Sequence, residues 1–205
     1  MKKILVLYYS VTGHVEAMAQ AVFKGANSVP GVVAELKRVP GPFPLEPGET
    51  ESAVPLADPM ELADYDALIF GGPARFGNMA PSMLLFLEAA EELWVSGELV
   101  GKFASAFTAT GTGGGQETTI TSFWNTLAHL GMIIIGLPYT ARQLLDIEEA
   151  RGGSPYGAAT LAGTCGERRP SLVELALGEF QGQHVAHVVS KQKTPLMFEG
   201  PDTTQ

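Results

Sequence analysis

Apolar positions along the chain follow two alternating patterns, one typical of buried strands and the other of amphipathic helices. The first is an unbroken apolar run from Ile4 to Tyr9, as expected of a parallel strand covered on both faces. After Thr12 and Gly13, apolar residues recur at the spacing i, i+3, i+4 and i+7, which predicts a helix with one buried face. These helical positions are Val15, Met18, Ala19, Val22, Phe23 and Ala26. The chain therefore opens with a strand, a turn and a helix.

The same alternation continues along the chain and predicts a doubly wound α/β fold. Four more strands are predicted, at Val32 to Val39, Ala67 to Phe70, Phe103 to Thr108 and Met132 to Ile135. Helices are predicted at Pro81 to Leu93, at Thr118 to Leu130, and from Ser171 onward, where Glu174 can complete a capping box. Five strands alternating with helices predict a parallel sheet with helices on both faces.

Two stretches fit neither pattern. Pro40 to Pro59 is rich in proline and glutamate, and it is predicted to form an exposed loop between the second and third strands. Ala141 to Pro170 is glycine-rich and long for a connection without structure of its own, so a functional or interface loop is expected there. We expect one domain over residues 1–192 and a flexible C-terminal tail over residues 193–205.

Composition and charge narrow the range of partners and compartments. The net charge of −9 disfavours nucleic acid and anionic lipid as partners. No apolar run is long enough to span a membrane. Cys165 is the only cysteine, so no intrachain disulfide is possible and a cytoplasmic location is expected. His14, His184 and His187 lack carboxylate or thiol partners at the spacing of metal ligands, so no metal is predicted.

The loop after the first strand carries the residues that a phosphate group needs. Ligands of doubly wound sheets bind beyond the carboxyl ends of the strands, and Ser10 to Val15 lies there, at the start of the first helix. A helix N-terminus offers unpaired amides and a positive dipole end, to which Ser10 and Thr12 add hydroxyl donors. Simple helix capping explains the loop equally well. The loop has no Gly-x-x-x-x-Gly-Lys pattern, and the first strand does not end in aspartate, which disfavours a P-loop NTPase and a phosphorylated receiver domain.

Two further loops follow the third and fourth strands. In Gly71 to Met79, Arg75 and Phe76 are placed to hold an aromatic ring at its edge and face, although a surface turn with one buried phenylalanine is the better interpretation of this loop alone. The glycines of Ala109 to Gln116 indicate a ligand pressed against the main chain, with a plain flexible loop as the alternative. Together with the first loop, these segments are predicted to lie on one rim of the sheet.

Four sequence blocks resemble the WrbA-type NAD(P)H:quinone oxidoreductases, a branch of the flavodoxin-like family. They are ARFGNM at 74–79, TGTGGGQE at 110–117, TLAHLGM at 126–132 and RGGSPYGA at 151–158. The resemblance covers nearly the whole chain. It implies a flavodoxin-like, doubly wound five-stranded parallel sheet in the order 2-1-3-4-5.

The resemblance also implies a cofactor, a reaction and an assembly. Members bind FMN noncovalently, form homotetramers whose active sites draw on neighbouring subunits, and reduce quinones to hydroquinones with NADH or NADPH by ping-pong hydride transfer. Thr12 stands where some members carry a tyrosine thought to contact the nicotinamide cofactor, so a preference between NADH and NADPH is not predicted.

The site residues implied by the resemblance fall into two groups. The implied FMN-binding residues are Ser10, Val11, Thr12, Gly13, His14, Val15, Ala74, Arg75, Phe76, Gly77, Ala109, Thr110, Gly111, Thr112, Gly113, Gly114 and His129. Trp94 is implied in the substrate pocket, and His129 as the catalytic residue that hydrogen-bonds or protonates a quinone oxygen. From spacing alone, His129 is more easily explained as a residue that caps the end of a helix, and Trp94 as a core residue.

Other functions remain open at this point. The main alternative is a flavodoxin-like electron carrier without NAD(P)H oxidase activity of its own, a role that suits an acidic surface. A related flavoenzyme that acts on azo dyes or nitroaromatics is a second alternative, and a phospholigand-binding module without redox activity is a third. Nucleophilic catalysis by Cys165 has little support, because no basic neighbour is placed to lower the pKa of its thiol.

Overall fold

A computed structural model describes residues 1–41 and 52–192 as a mixed α/β structure. The strands are β1 (Lys2–Tyr8), β2 (Val32–Arg38), β3 (Ala67–Arg75), β4 (Asn78–Met79), β5 (Phe103–Thr110), β6 (Ile133–Ile134) and β7 (Ala159–Leu161). The helices are α1 (His14–Asn27), α2 (Pro81–Glu88), α3 (Glu91–Val95), α4 (Gln116–His129) and α5 (Leu172–Lys191). Short 3₁₀ helices lie at Pro59–Asp64 and Arg142–Leu145.

The strands form one sheet whose main path is parallel, in the order β2-β1-β3-β5-β6. Strand β4 pairs antiparallel with β3, and β7 pairs in parallel with β5. The flavodoxin-like α/β fold is confirmed. The prediction of five strands in the order 2-1-3-4-5 is corrected, because the described residues form seven strands and the two short additions change the order.

Strand β5 has different neighbours at its two ends. Strand β6 pairs with Phe103 and Ala104 at the start of β5, whereas β7 pairs with Thr108, Ala109 and Thr110 at its end. The carboxyl end of β5 is therefore covered by a strand that comes late in the chain. This pairing carries the residues after Leu161 to the edge of the sheet where the predicted site loops lie.

Successive side chains along each strand point to opposite faces of the sheet, and they pack into two apolar cores, one on each face. On β1, Ile4, Val6 and Tyr8 point into the core formed with α1 and α5. Leu5 and Leu7 point into the core formed with α2, α3 and α4. This double coverage explains the unbroken apolar run at the start of the sequence.

Helices α1 and α5 pack closely and in the same direction along one face. A Cβ atom on Gly25 would lie 1.8 Å from the carbonyl oxygen of Glu179, and one on Gly182 would lie 1.9 Å from that of Val22. Gly178 faces Met18 one helical turn nearer the N-terminal ends. The glycines therefore bring the two backbones together and place the start of α5 beside the start of α1.

Three regions differ from the sequence-based expectations or lie outside the description. The helix predicted at Pro81 to Leu93 is divided into α2 and α3. The long segment from Ala141 to Pro170 contains a 3₁₀ helix and β7. Within the Pro40 to Pro59 loop, residues 42–51 are outside the described residues, as is the predicted tail at 193–205. No helix among the described residues is long and apolar enough to span a membrane.

Candidate functional site

The carboxyl ends of β1, β3 and β5 bring three loops to one rim of the sheet. Loop 1 is Ser10–Val15, loop 2 is the β3–β4 hairpin, and loop 3 is Gly111–Gly115. The backbone amide of Tyr9, just before loop 1, donates to the carbonyl of Gly71 at 2.9 Å. The hydroxyl of Thr108 donates to the carbonyl of Gly72 at 2.8 Å. These bonds join the three strands immediately below the rim.

Loop 1 leaves the N-terminus of α1 open. The helix is capped by Gly13, whose φ of 82° is left-handed, and no side chain bonds to the helix end from that position. The amide of Glu16 donates to the Ser10 hydroxyl at 3.3 Å. The amides of residues 12–15 make no hydrogen bond with any residue in the described part of the chain. Several unsatisfied donors therefore converge at the positive end of a helix, where an anion is favoured.

The side chain of His14 links loop 1 to Arg168. The imidazole is buried, with Nδ1 lying 2.7 Å from Oγ1 of Thr12 and Nε2 lying 2.9 Å from the carbonyl oxygen of Arg168. Because a carbonyl oxygen can only accept, Nε2 carries a hydrogen, and a neutral ring then accepts the Thr12 hydroxyl proton at Nδ1. With a neutral ring, the oxygen of Thr12 is left to accept a hydrogen bond at the rim.

Loop 2 is a tight hairpin with an exposed aromatic tip. Its two turn residues, Phe76 and Gly77, have φ values of 53° and 76°, as in a type I′ turn. The Phe76 side chain is fully exposed, so the buried phenylalanine of the surface-turn interpretation is wrong. The hydroxyl of Ser122 on α4 donates to the carbonyl of Gly77 at 3.3 Å. Helix α4 therefore supports the hairpin.

Loop 3 leads into α4 as loop 1 leads into α1, and again no described side chain caps the N-terminus of the helix. Gly115 caps α4 with a φ of 80° and no side-chain bond to the helix end. The amide of Gly113 donates to the Thr110 hydroxyl at 3.0 Å, which fixes the curve of the loop. A Cβ on Gly114 would meet no atom within 4 Å, so the outer side of the loop is open. The loop forms a glycine-lined ledge next to the hairpin.

A segment that sequence analysis did not assign to the site crosses between loops 1 and 3. We call Ala162–Arg169 the rim segment. The amide of Ala162 donates to the carbonyl of Thr110 at 2.7 Å. The amide of Gly163 donates to the carbonyl of Gly111 at 2.9 Å. At its other end it reaches loop 1 through the bond between His14 and the carbonyl of Arg168. The sequence placed it within the functional or interface loop expected over Ala141 to Pro170, but did not connect it to loops 1 and 3, because those partners lie far away in the chain.

Glu174 anchors the rim segment. Its buried carboxylate accepts from the amides of Gly152, Leu161 and Ser171, from the Thr160 hydroxyl and from the Arg168 guanidinium. Burial acts to raise the pKa of this carboxyl, but the Arg168 guanidinium and the three amides outweigh it and hold the pKa below its ordinary value. The capping box predicted with Ser171 is present and forms part of this network.

His129 and Trp94 lie away from the rim. Helix α4 has 14 residues, so His129 at its end is about 21 Å from the start of the helix beside loop 3. The indole of Trp94 donates to the carbonyl of His129 at 3.1 Å, and both side chains are exposed. Both residues therefore belong to the opposite edge of the sheet. Within one chain they cannot join the three loops.

The rim has the donors and the shape that a flavin phosphate would need. The open amides of loop 1 suit a phosphate, and the glycine ledge beside the Phe76 hairpin suits a flat ring. Among residues 1–41 and 52–192, no group of three or more metal-ligating side chains lies close enough to hold a metal ion. Fold and rim together define a flavodoxin-like protein.

Comparison with known proteins gives the family. The sequence model of the NADPH-dependent FMN reductases matches residues 2–143, and the chain belongs to this family of FMN-dependent oxidoreductases. A WrbA-like flavodoxin from Agrobacterium tumefaciens has a similar structure, with a TM-score of 0.67 and 21% identity over 94% of this chain and 100% of that one.

Two other solved structures share the fold. A flavodoxin from the domain Archaea matches with a TM-score of 0.59 and 19% identity over 92% of this chain and 99% of that one. The oxidised flavodoxin 2 of Bacillus cereus matches with a TM-score of 0.55 and 17% identity over 92% and 98% of the two chains.

Proposed function

We propose that this protein is an FMN-dependent NAD(P)H:quinone oxidoreductase. The observation that carries the proposal is the convergence of open amides at the start of α1 with the glycine ledge of loop 3 and the hairpin of loop 2. Membership of the FMN reductase family supports FMN as the cofactor and a nicotinamide as the electron donor. The quinone acceptor and the WrbA-type assignment rest on the four sequence blocks at 74–79, 110–117, 126–132 and 151–158.

The chain's own residues would bind and orient the reactants. The chemistry that bound FMN supplies is two-electron hydride transfer, from NADH or NADPH and then to the quinone in a ping-pong cycle. Amides of residues 12–15 would hold the phosphate, and Ala74, Arg75 and Phe76 would border the ring. In loop 3, the amide of Gly113 is already bonded to Thr110, so the amides of Gly111 and Thr112 remain to face the ring.

A homotetramer would explain how His129 and Trp94 take part. Both lie at the opposite edge of the sheet from the three loops, so they can reach a bound ring only from a neighbouring subunit. There His129 would donate a hydrogen bond or a proton to a quinone oxygen, and Trp94 would form a wall of the quinone pocket. Exposed apolar side chains next to these two residues in the chain support an interface there: Val95 follows Trp94, and Ile133 lies four residues after His129.

The proposed location and partners rest on the single cysteine and on the net charge of the chain. We place the protein in the cytoplasm, because its single cysteine, Cys165, is a free and exposed thiol. Small-molecule quinones are the proposed partners, whereas the net charge of −9 disfavours nucleic acid.

Steady-state kinetics test the proposed activity. FMN-loaded protein is mixed with NADH or NADPH, with and without benzoquinone, in the absence of oxygen. We expect quinone-dependent consumption of the nicotinamide by the protein alone. An electron carrier of the flavodoxin kind would show little consumption until a separate reductase is added, and that result would reject the proposal.

Mixing two inactive variants tests the shared site. His129→Ala should impair quinone turnover, and Gly114→Trp should block the ledge of loop 3, where a side chain has open space in front of it. If sites are shared between subunits, tetramers reassembled from both variants recover part of the activity, because some sites combine intact loops with an intact His129. Unchanged quinone kinetics in His129→Ala alone would contradict its role.

A further inference from the structure

The rim holds a cation that neither the sequence blocks nor the family match includes. The guanidinium of Arg169 lies against loop 1, with Nη1 3.5 Å from the carbonyl oxygen of Thr12. The same nitrogen would lie 3.6 Å from a Cβ atom placed on Gly13. It therefore stands at the turn that precedes the open amides of α1.

The position of Arg169 is fixed by its neighbours. The carbonyl of Arg168 accepts from His14 of loop 1, and the amide of Arg168 donates to the carbonyl of Ala162 at 2.9 Å. On the other side, Pro170 restricts the backbone and Ser171 caps α5. The backbone of Arg169 is thus held between anchored residues, which keeps its side chain beside loop 1.

The two adjacent arginines differ in what their charges face. The Arg168 guanidinium is paired with the buried carboxylate of Glu174 at 2.7 Å and also bonds to the carbonyls of Leu161 and Ala150. Among the described residues, Arg169 makes no ion pair, and its guanidinium has a single hydrogen bond, the long one of 3.5 Å to the carbonyl of Thr12. Most N–H donors of its guanidinium are therefore available to bind an anion.

Loops 1 and 3 have no positive charge of their own. Residues 10–15 and 111–115 contain neither lysine nor arginine. A phosphate dianion at the start of α1 would otherwise be held by neutral donors alone, in a protein of net charge −9. A guanidinium pairs strongly with phosphate because its planar donors match two phosphate oxygens.

We infer that Arg169 is a phosphate-contacting residue of the flavin site and makes the site select FMN over riboflavin. The inference rests on the proposed function, because it assumes that the phosphate of FMN lies at loop 1. It assigns to the rim segment a direct part in cofactor recognition. The contribution is electrostatic and depends on the phosphate, not on the ring.

Binding measurements with two flavins test this inference without any assay of activity. The apoprotein, Arg169→Gln and Arg169→Lys are titrated with FMN and with riboflavin, and quenching of flavin fluorescence gives each Kd. We expect Arg169→Gln to weaken FMN binding about tenfold and leave the riboflavin Kd unchanged, since only FMN carries the charge. Arg169→Lys should keep part of the FMN affinity, because a lysine retains the charge without the planar pair of donors.

Salt and a matched variant complete the test. The FMN Kd of the wild type should rise with ionic strength more steeply than that of Arg169→Gln, because one charge pair has been removed. Lys3→Gln removes the same unit of charge from the start of β1, at the opposite edge of the sheet, and should leave both Kd values unchanged. Thermal unfolding of each apoprotein checks that the variants fold.

The outcomes separate the two proposals. Equal weakening of FMN and riboflavin binding in Arg169→Gln, or no weakening of either, would overturn the role of Arg169 while the FMN site stands. A wild-type protein that binds neither flavin would overturn the proposed function and this inference with it.

Discussion

Three of the helices that begin near the rim, α1, α4 and α5, start in two opposite ways. Helices α1 and α4 are capped by Gly13 and Gly115, both left-handed, and neither receives a side-chain cap. Helix α5 begins with the full capping box of Ser171 and Glu174. Two helix ends are therefore left open toward the rim, and the third is closed by side chains.

This difference separates the recognition of a ligand from the support of the fold. Open amides have no stabilising role within the chain, so their natural partner is an external anion. At the closed end of α5, the carboxylate of Glu174 instead accepts hydrogen bonds from the amides of Gly152 and Leu161 and from the Arg168 guanidinium. These bonds hold the rim segment in place. Substitutions at the two kinds of helix start should therefore affect different properties.

The largest effect is expected at the closed end. Glu174→Gln removes a buried charge that pairs with Arg168, and replaces one of its two acceptor oxygens by an NH2 group, which can donate but not accept. We expect the free energy of unfolding to fall by about 3 kcal/mol, measured by denaturant unfolding. Glu179→Gln on the same helix breaks only the exposed pair with Lys24 and should cost less than about 0.5 kcal/mol. Equal losses in both variants would contradict the central role of Glu174.

The same carboxylate makes stability depend on pH. Burial raises the pKa of Glu174, but Arg168 and the backbone amides hold it below the ordinary value of 4.5. Above about pH 4.5 the group is ionised in both the folded and unfolded states, so its contribution is fully present. As the pH falls further, the unfolded state takes up the proton first and the contribution is lost. Unfolding curves over this range should decline for the wild type and be flatter for Glu174→Gln; parallel curves would reject this assignment.

A smaller effect is expected at the open end of α1. Gly13→Ala places a side chain at a φ of 82° and should destabilise the fold by about 1–2 kcal/mol. Gly31→Ala is the matched control, because Gly31 has a φ of 83°, no atom within 4 Å of the added Cβ, and a position away from the rim. Denaturant unfolding should show similar losses in both, whereas fluorescence titration should show weaker FMN binding only in Gly13→Ala. Similar FMN affinities in the two variants would remove the distinction between open and closed ends.

The smallest effect is expected at the cap of α5. Ser171→Ala removes the acceptor of the Glu174 amide and should cost about 1 kcal/mol in unfolding free energy. FMN affinity should change little, because within the described ranges the Ser171 hydroxyl bonds only to the Glu174 amide, and Arg168 still holds the rim segment beside loop 1. Ser190→Ala near the other end of α5, where the hydroxyl bonds only to the carbonyl of His187, should be close to neutral. A marked loss of FMN binding in Ser171→Ala would show that the closed end also serves the ligand.

Local patterns predicted much of the fold. Strand β1, helix α1 and the capping box of α5 were predictable because hydrophobic periodicity and capping act over a few residues. Strand β7 has only three residues in a glycine-rich stretch, so no periodic pattern marks it. Strand β3 runs to Arg75 through Gly71, Gly72 and Pro73, residues that normally indicate the end of a strand.

The site was predictable only in part, for a related reason. The loops after β1, β3 and β5 could be placed on one rim because parallel strands end on the same side. Arg169 is separated from Thr12 by 157 positions, and its contact depends on the close packing of α1 with α5. That contact is a property of the tertiary structure, which no local motif encodes.

The late position of the rim segment has a consequence for biosynthesis. The residues that match the family model end at 143, and they already include all three loops. The chain that crosses from loop 3 to loop 1 follows only after β7, and α5 must then dock through Gly178 and Gly182 to hold it. A nascent polypeptide still emerging from the ribosome would thus have the loops without the segment that fixes them, so the rim is complete only after Ala162–Arg169 and α5 have been synthesised.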